Sequence, residues 1–168
     1  LNDIHALDRN SITAVGASNV VLTSNNGGLS WTLVTGPTPG VALNAVVMQT
    51  EARWMVGTAG GELWYTIRSG DTWTEKTFSG SGGGSVNQIV FASRNVGYMV
   101  HDSAGGVGRL LRTYNGGQSW VIAPEEQGLT VPDTDSLLSV AACRDDVNIA
   151  IVGGLGSNGT DGYAAKYA

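Results

Sequence analysis

Two short acidic pairs, Asp133-x-Asp135 and Asp145-Asp146, are the first residues of this chain that could hold a cation. A calcium loop needs further oxygen ligands and a glycine at its sharp turn, and neither pair has them. Both read as solvated charges. His5 and His101 have no His or Cys at ligand spacing, which leaves zinc without a site. The one cysteine, Cys143, ends the apolar run Val140-Ala141-Ala142-Cys143 and reads as a small buried hydrophobe. A reactive thiol would need a neighbouring His or cation, and a single cysteine forms no intrachain disulfide. Glycoside hydrolysis needs two carboxylates about 5–10 Å apart. Asp3, Asp102 and Asp145 are available, but their positions along the chain do not pair them. Gly153-Gly154-Leu155-Gly156 lacks the following helix of a nucleotide fingerprint and reads as a loop after a strand. Asn158-Gly159-Thr160 fits a glycosylation sequon, which matters only in a protein secreted by a eukaryote. No catalytic residue, no metal ligand set and no cofactor is expected.

The bulk numbers narrow the partners. The chain has 168 residues, enough to bury a core as one domain. Charged residues are only 14%, below the usual quarter, so Ser, Thr, Asn and Gly must cover the surface. Such a surface suits an extracellular or virion-associated protein; the periplasm or a thylakoid lumen is the alternative. Net charge is −5, and the nine Lys and Arg residues form no cluster in the sequence. Nucleic acid and a basic membrane-binding face are therefore not expected. No apolar run approaches the ~18 residues of a membrane span. The chain begins at Leu1, not Met. A processed chain, an excised segment or numbering from the first residue seen would each explain that start.

What positions any site is a repeat. Three turns share one design: Ser24-Asn25-Asn26-Gly27-Gly28-Leu29-Ser30-Trp31, Thr66-Ile67-Arg68-Ser69-Gly70-Asp71-Thr72-Trp73 and Thr113-Tyr114-Asn115-Gly116-Gly117-Gln118-Ser119-Trp120. The three Trp residues lie 42 and 47 positions apart. Hydroxyl and carboxamide side chains at Ser24, Asn26, Thr66, Thr113 and Asn115 can bond backbone N–H groups one or two residues on. Asn-Gly at 26–27 and 115–116 tolerates the positive φ of tight hairpins. Gly28, Gly70 and Gly117 add backbone freedom. Ser30, Thr72 and Ser119 precede Trp31, Trp73 and Trp120, whose rings would cover each hairpin. Arg68 stands where the other turns have Asn, so the second turn must be held differently. These residues read as a folding device, not as a site.

Each turn sits in a larger unit. An apolar residue, a small polar one and an alternating run recur at Leu1-Asn2-Asp3-Ile4, Leu43-Asn44-Ala45-Val46, Val86-Asn87-Gln88-Ile89 and Leu138-Ser139-Val140-Ala141. A second strand-like run follows each, a third leads into the turn and a fourth leaves it. Four short strands per 42–52 residues predict an all-β chain of propeller blades, each a four-stranded antiparallel sheet. About four units fit the one domain 1–168, at 1–42, 43–85, 86–137 and 138–168. The last is incomplete: residues 163–168 match a third strand and the chain stops there. The expectation is a piece of a longer propeller; otherwise the four units close imperfectly or the open blade edge favours self-association. The linker Ser79–Ser85 reads as a flexible loop, and the acidic insert Pro124–Asp135, with Glu125 and Glu126, as the expected contact loop.

The turns resemble the Asp-box, or bacterial neuraminidase repeat, Ser/Thr-x-Asp-x-Gly-x-Thr-Trp. Asn26 and Asn115 replace its Asp. The fuller phrase from Leu1-Asn2-Asp3-Ile4 through Ala14-Val15-Gly16 to Trp31 resembles the photosystem II stability and assembly factor type, a type also found in bacteriophage structural proteins. The resemblance implies a β-propeller, and either enzymes, receptors, assembly factors or virion proteins. A sialidase would need an arginine cluster, a Tyr–Glu nucleophile pair and an acid/base Asp. Arg9, Arg53, Arg68, Arg94, Arg109, Arg112 and Arg144 are present, but the Arg-Ile-Pro phrase is absent. The expectation is a non-catalytic binding or structural module in a larger assembly, such as a phage decoration, tail or attachment protein. The alternatives are an assembly-factor-like propeller with a basic patch, which the scattered cations oppose, and a glycan-binding or hydrolytic domain. For a glycan, Trp54, Trp64 or Tyr98 could stack on sugar rings, although each also reads as blade core.

Overall fold

A computed structural model describes residues 1–37, 40–78, 83–123, 136–156 and 162–167. Among the described residues fifteen strands form four antiparallel sheets in chain order. The first sheet contains β1 (Asp3–Ala6), β2 (Ile12–Val15), β3 (Val20–Ser24) and β4 (Thr32–Thr35). The second contains β5 (Leu43–Met48), β6 (Trp54–Thr58), β7 (Leu63–Thr66) and β8 (Thr74–Lys76). The third contains β9 (Ser85–Phe91), β10 (Gly97–Asp102), β11 (Gly108–Thr113) and β12 (Val121–Ile122). The fourth stops at three, β13 (Ser136–Ala142), β14 (Ala150–Leu155) and β15 (Gly162–Tyr167). No α-helix occurs among the described residues. The up-and-down order is that of propeller blades, as the repeat predicts, and the unfinished fourth unit is a three-stranded sheet.

The core lies between blades, not within them. Val15 and Val21 of blade one pack with Leu43, Val46 and Val56 of blade two. Met55 and Leu63 of blade two pack with Ile89, Met99 and Leu111 of blade three. Tyr98 and Leu110 of blade three pack with Leu137, Val140 and Val152 of blade four. Alternation along each strand gives both faces of the middle sheets an apolar set, so each blade needs a neighbour on either side. First strands pack in sequence, β1 on β5, β5 on β9 and β9 on β13.

Polar side chains clasp the same junctions. Asn2 Nδ2 donates to the Leu43 carbonyl at 3.0 Å, and Asn87 Nδ2 donates to the Leu137 carbonyl at 2.7 Å. Asn44 Nδ2 reaches Ser85 Oγ at 2.9 Å. The Asp3 carboxylate accepts the Val46 N–H at 2.8 Å, and Gln88 Oε1 accepts the Val140 N–H at 2.7 Å. Except for Asn44–Ser85, these bonds satisfy backbone groups of β5 and β13, which are edge strands of their sheets. Register shifts occur between Leu43 and Ala45, between Val100 and His101 opposite β9, and between Leu137 and Ser139.

That bulge corrects one alignment. In blade four the bulged residue is Leu138, equivalent to Asn44, and buried Leu137 takes the place of Leu43. The anchor of the unit is therefore Leu137, one residue earlier than the sequence pattern puts it. Gly153 and Gly154 also lie inside β14, not in a loop after it. A Cβ on Gly154 would sit 1.9 Å from the Ser136 carbonyl oxygen, so glycine permits the close approach of β13.

Candidate functional site

The three Trp turns are hydrogen-bonded folding units. Ser24 Oγ donates to Asn26 Oδ1 at 2.9 Å and accepts the Gly28 N–H at 2.9 Å. Asn26 Oδ1 also accepts the Ser30 N–H at 2.9 Å, while its Nδ2 donates to Ser30 Oγ at 2.8 Å. Thr113, Asn115, Gly117 and Ser119 repeat this network at 2.9, 2.9, 3.0 and 2.8 Å. The second turn keeps only the hydroxyl part. Thr66 Oγ1 accepts the N–H groups of Arg68 and Gly70, both at 3.1 Å, and Thr72 takes no part in a comparable network. Positive φ falls on Gly27 and Gly28, on Ser69 and Gly70, and on Gly116 and Gly117. Within each Asn-Gly pair the positive φ falls on the glycine, Gly27 or Gly116.

The Trp rings do not serve alike. Trp120 is 4% exposed and meets Phe91 edge-on with ring centroids 6.0 Å apart. Trp73 is half-buried and donates Nε1–H to the Thr35 carbonyl of blade one at 2.8 Å. Trp31 is 40% exposed and covers Gly28. The proposed sugar platforms are absorbed by packing. Trp54 and Tyr98 are buried, and Trp64 is half-buried against the blade one–two core. Asp133, Asp135, Glu125, Glu126 and the sequon at Asn158 lie outside the described residues.

The candidate acids are tied into strands. Asp3 accepts the Ile4 and Val46 N–H groups, both at 2.8 Å, and burial holds its carboxyl above the usual range against those bonds. Asp102 accepts from Ser136 Oγ at 2.6 Å, Asn87 Nδ2 at 2.9 Å and the Leu137 N–H at 3.1 Å. Asp145 is exposed on the β13–β14 hairpin. Cys143 is half-buried at the start of that hairpin, not fully buried as its apolar run suggests. Among the described residues no group of three His, Cys, Asp or Glu side chains could hold a metal.

What the structure gathers is arginine. In each blade the first hairpin carries one: Arg9, Arg53, Arg94 and Arg144. Because strands alternate in direction, these hairpins emerge on the rim that also bears the Trp turns. A cleft of about 600 Å³ opens there, with Arg53, Arg94 and Arg144 in its wall. His5 joins them, and among the described residues no Asp or Glu lines the cleft. In a chain of net charge −5, that segregation concentrates positive potential at one concave place.

The floor is rigid and the rim free. Arg53 Nη2 donates to the Gly116 carbonyl at 2.7 Å, and Gln49 Nε2 reaches the same oxygen at 3.3 Å. The Gly116 N–H in turn donates to the Asn95 carbonyl at 2.9 Å. Asn115, Gly116 and Gln118 of the third Trp turn thus help to form the wall. Arg94 and Arg144 are exposed, and among the described residues neither guanidinium has an ion pair or hydrogen bond. His5 Nδ1 accepts the Met48 N–H at 3.2 Å, so the neutral ring keeps its proton on Nε2. Burial, reinforced by the Arg144 charge and opposed by Asp3, holds the His5 pKa below its ordinary value.

A smaller cleft of about 310 Å³ lies between the first hairpins of blades one and two, with Asp8 and Glu51 in its wall. The Asp8 carboxylate is committed to the Asn10 and Ser11 N–H groups at 2.7 and 2.8 Å, which hold its pKa down.

The arginine cleft escapes a linear reading because its residues stand 41–50 positions apart. The available signal was the recurrence of one arginine per aligned hairpin.

No protein-family model matches this chain, and no curated protein matches it. Solved structures do. YCF48 bound to D1 peptide superposes with a TM-score of 0.72 at 17% identity, over 97% of this chain and 50% of that one. YCF48 from Cyanidioschyzon merolae gives 0.68 at 19% identity, over 98% and 50%. An ancestral GH74 enzyme gives 0.66 at 16% identity, over 98% and 24%. The chain spans about half the length of the YCF48 structures and about a quarter of the GH74 structure. At these identities the likeness is one of fold, and the fold is a β-propeller of about four blades.

Proposed function

We propose that this propeller is a non-catalytic protein-binding module that takes an acidic polypeptide segment across its arginine cleft. One observation carries the reading: Arg53, Arg94 and Arg144 converge on a cleft whose wall, among the described residues, holds no carboxylate. Guanidinium groups pair with carboxylates through charge-assisted, often bidentate bonds. Free rim cations accelerate capture and set specificity, while a rigid floor limits the entropy lost on binding. Support also comes from YCF48, a propeller of similar fold whose structure holds a D1 peptide. Absence of catalysis rests on the acids, since Asp3 and Asp102 are engaged with backbone N–H groups of neighbouring strands.

Fluorescence anisotropy with a fluorescein-labelled hexaglutamate peptide tests this. Each of Arg94→Ala and Arg144→Ala should weaken binding about 3–10-fold, and affinity should fall as salt rises. The double reversal R94E/R144E should abolish it. Binding that ignores both arginines would refute the reading, and turnover of a fluorogenic sialoside or glucan would restore the enzyme alternative. Membership of a virion or another extracellular assembly rests only on the low-charge, Gly- and Ser-rich surface. A particle-bound copy number matching a capsid or tail symmetry would support it, and a free monomer alone would count against it.

A further inference from the structure

Arg112 is a buried cation without a carboxylate. It is 4% exposed on β11, and among the described residues it forms no ion pair. Its guanidinium lies 5.3, 4.5 and 5.9 Å from the ring centroids of Tyr98, Tyr114 and Tyr167. Its Nη2 donates to Asn148 Oδ1 at 2.6 Å and to the Val147 carbonyl at 3.3 Å. Tyr98 Oη donates to the same Val147 carbonyl at 2.7 Å. Removing such a charge from water is costly, and an apolar side chain could fill the space between three rings. What an apolar side chain could not do is grip Val147 and Asn148.

Those two residues belong to the β13–β14 hairpin, residues 143–149, which carries Arg144. Internally the hairpin is held by Cys143 N–H to the Ile149 carbonyl and Ile149 N–H to the Asp146 carbonyl, both at 3.0 Å, and by Asn148 N–H to Asp146 Oδ1 at 3.0 Å. Its hydrogen bonds to blade three come from Arg112 and Tyr98. Arg112 also immediately precedes the Trp turn whose Asn115 and Gly116 line the cleft. One side chain therefore joins two walls of the same cleft, one from blade three and one from blade four.

We propose that Arg112 is the positioning residue of the cleft: it fixes the Arg144 hairpin against the third Trp turn and so sets where the Arg144 charge stands. The consequence for ligand binding rests on the acidic-peptide reading above, but the hold on the hairpin does not. Hydrogen exchange on the whole chain tests the hold. R112M should speed exchange of the Cys143 and Ile149 amides at least 10-fold and leave Val46 and Met55 of blade two unchanged. R112K, which keeps the charge but not the fork, should fall between. Y98F, which keeps the ring and loses one bond, should give a smaller rise at the same two amides. Binding of the labelled hexaglutamate tests the consequence. R112M should weaken it about as much as R144A, and R112M/R144A should bind no more weakly than R144A alone. Unchanged exchange at Cys143 and Ile149 in R112M overturns the proposal, as does full additivity in the double variant. If the wild-type chain does not bind the peptide, the cleft reading falls, and the exchange rates alone still decide whether Arg112 holds the hairpin.

Discussion

Replacing Thr113 by Val removes one hydroxyl and changes almost no volume, so it isolates the hydrogen bonds of the third Trp turn. Thr113 is 1% exposed. Its Oγ1 accepts the Gly117 N–H at 2.9 Å, approaches the Asn115 N–H at 3.4 Å and donates to Asn115 Oδ1 at 2.9 Å. A typical intramolecular hydrogen bond contributes about 1 kcal/mol net, and a buried N–H left without a partner costs about 1–3 kcal/mol. Gly117 is buried, so water cannot replace the lost acceptor. The expected loss for Thr113→Val is about 2–3 kcal/mol. For a chain of this length that lowers Tm by roughly 5–10 °C. Guanidinium unfolding should show a lower midpoint at unchanged slope. Two companions sharpen the test. Ser24→Ala should cost less, about 1 kcal/mol, because Gly28 is only half-buried and water can reach its N–H. Asn115→Asp should stay within about 0.5 kcal/mol, since its carboxylate still accepts from Thr113 and Ser119 N–H while the Ser119 hydroxyl turns to donate. Thr113→Val within about 0.5 kcal/mol of wild type would refute this account of the turn, as would an Asn115→Asp variant equally damaged.

Other changes separate other forces. Gly28→Ala and Gly117→Ala share a left-handed backbone, with φ of 87° and 80°, and each should lose about 1–2 kcal/mol to strain alone. Gly117→Ala should lose more, because its Cβ would stand 2.3 Å from Met55 Cε, whereas the one on Gly28 meets Trp31 at 3.6 Å; equal midpoints in denaturant would contradict that. Asn87→Ala leaves the Leu137 carbonyl and the Asp102 carboxylate each short of a donor and should cost about 2–4 kcal/mol, with enhanced exchange at the blade three–four junction as the readout. His101 is fully buried, and burial, aided by Arg109 and opposed by Asp102 and a hydrogen bond with the Gly83 backbone, lowers its pKa below 6.5. The unfolded chain therefore takes up the proton first, and stability falls as pH drops from 6.5 towards the folded-state value. His101→Leu should flatten that part of the pH–stability curve, leaving the slope due to His5; an unchanged curve would show that His101 does not titrate on unfolding.

The blades were legible because turn chemistry is local. Ser24, Asn26 and Gly28 make their bonds within five residues, so their spacing in the chain is their spacing in the turn. Blade four slipped by one because Leu137 and Leu138 are chemically identical, and only the pairing shows which one the bulge consumes. Exposure of the Trp rings was not legible at all. Trp31, Trp73 and Trp120 hold equivalent positions, but what covers each is decided by the preceding blade. The cleft was hidden for a related reason. Arg53, Arg94 and Arg144 lie far apart in sequence, and a propeller brings equivalent positions of different blades to one rim. Counting cations along the chain measures clustering in the wrong dimension. Nor does the sequence reveal that the acids Asp3, Asp8 and Asp102 are drawn off into backbone bonds, away from the cleft wall.

The asparagine clasps have a direction. Asn2 reaches forward to Leu43 and Asn87 forward to Leu137, and none of these clasps reaches back. Every junction is therefore heterologous: the side chains of one blade's forward surface meet a different surface, the first-strand backbone, on the next. A twofold axis cannot relate two such surfaces to themselves. Arrangements that repeat this contact can only run head to tail, closing into a ring when the rotation per blade divides the circle and otherwise winding open. The forward surface of blade four offers Leu138, 47% exposed, where the earlier blades offer asparagine. A sheet seated there would meet an apolar contact without a hydrogen-bonded clasp, so that junction would tolerate rotation about the disc axis more readily than the three behind it.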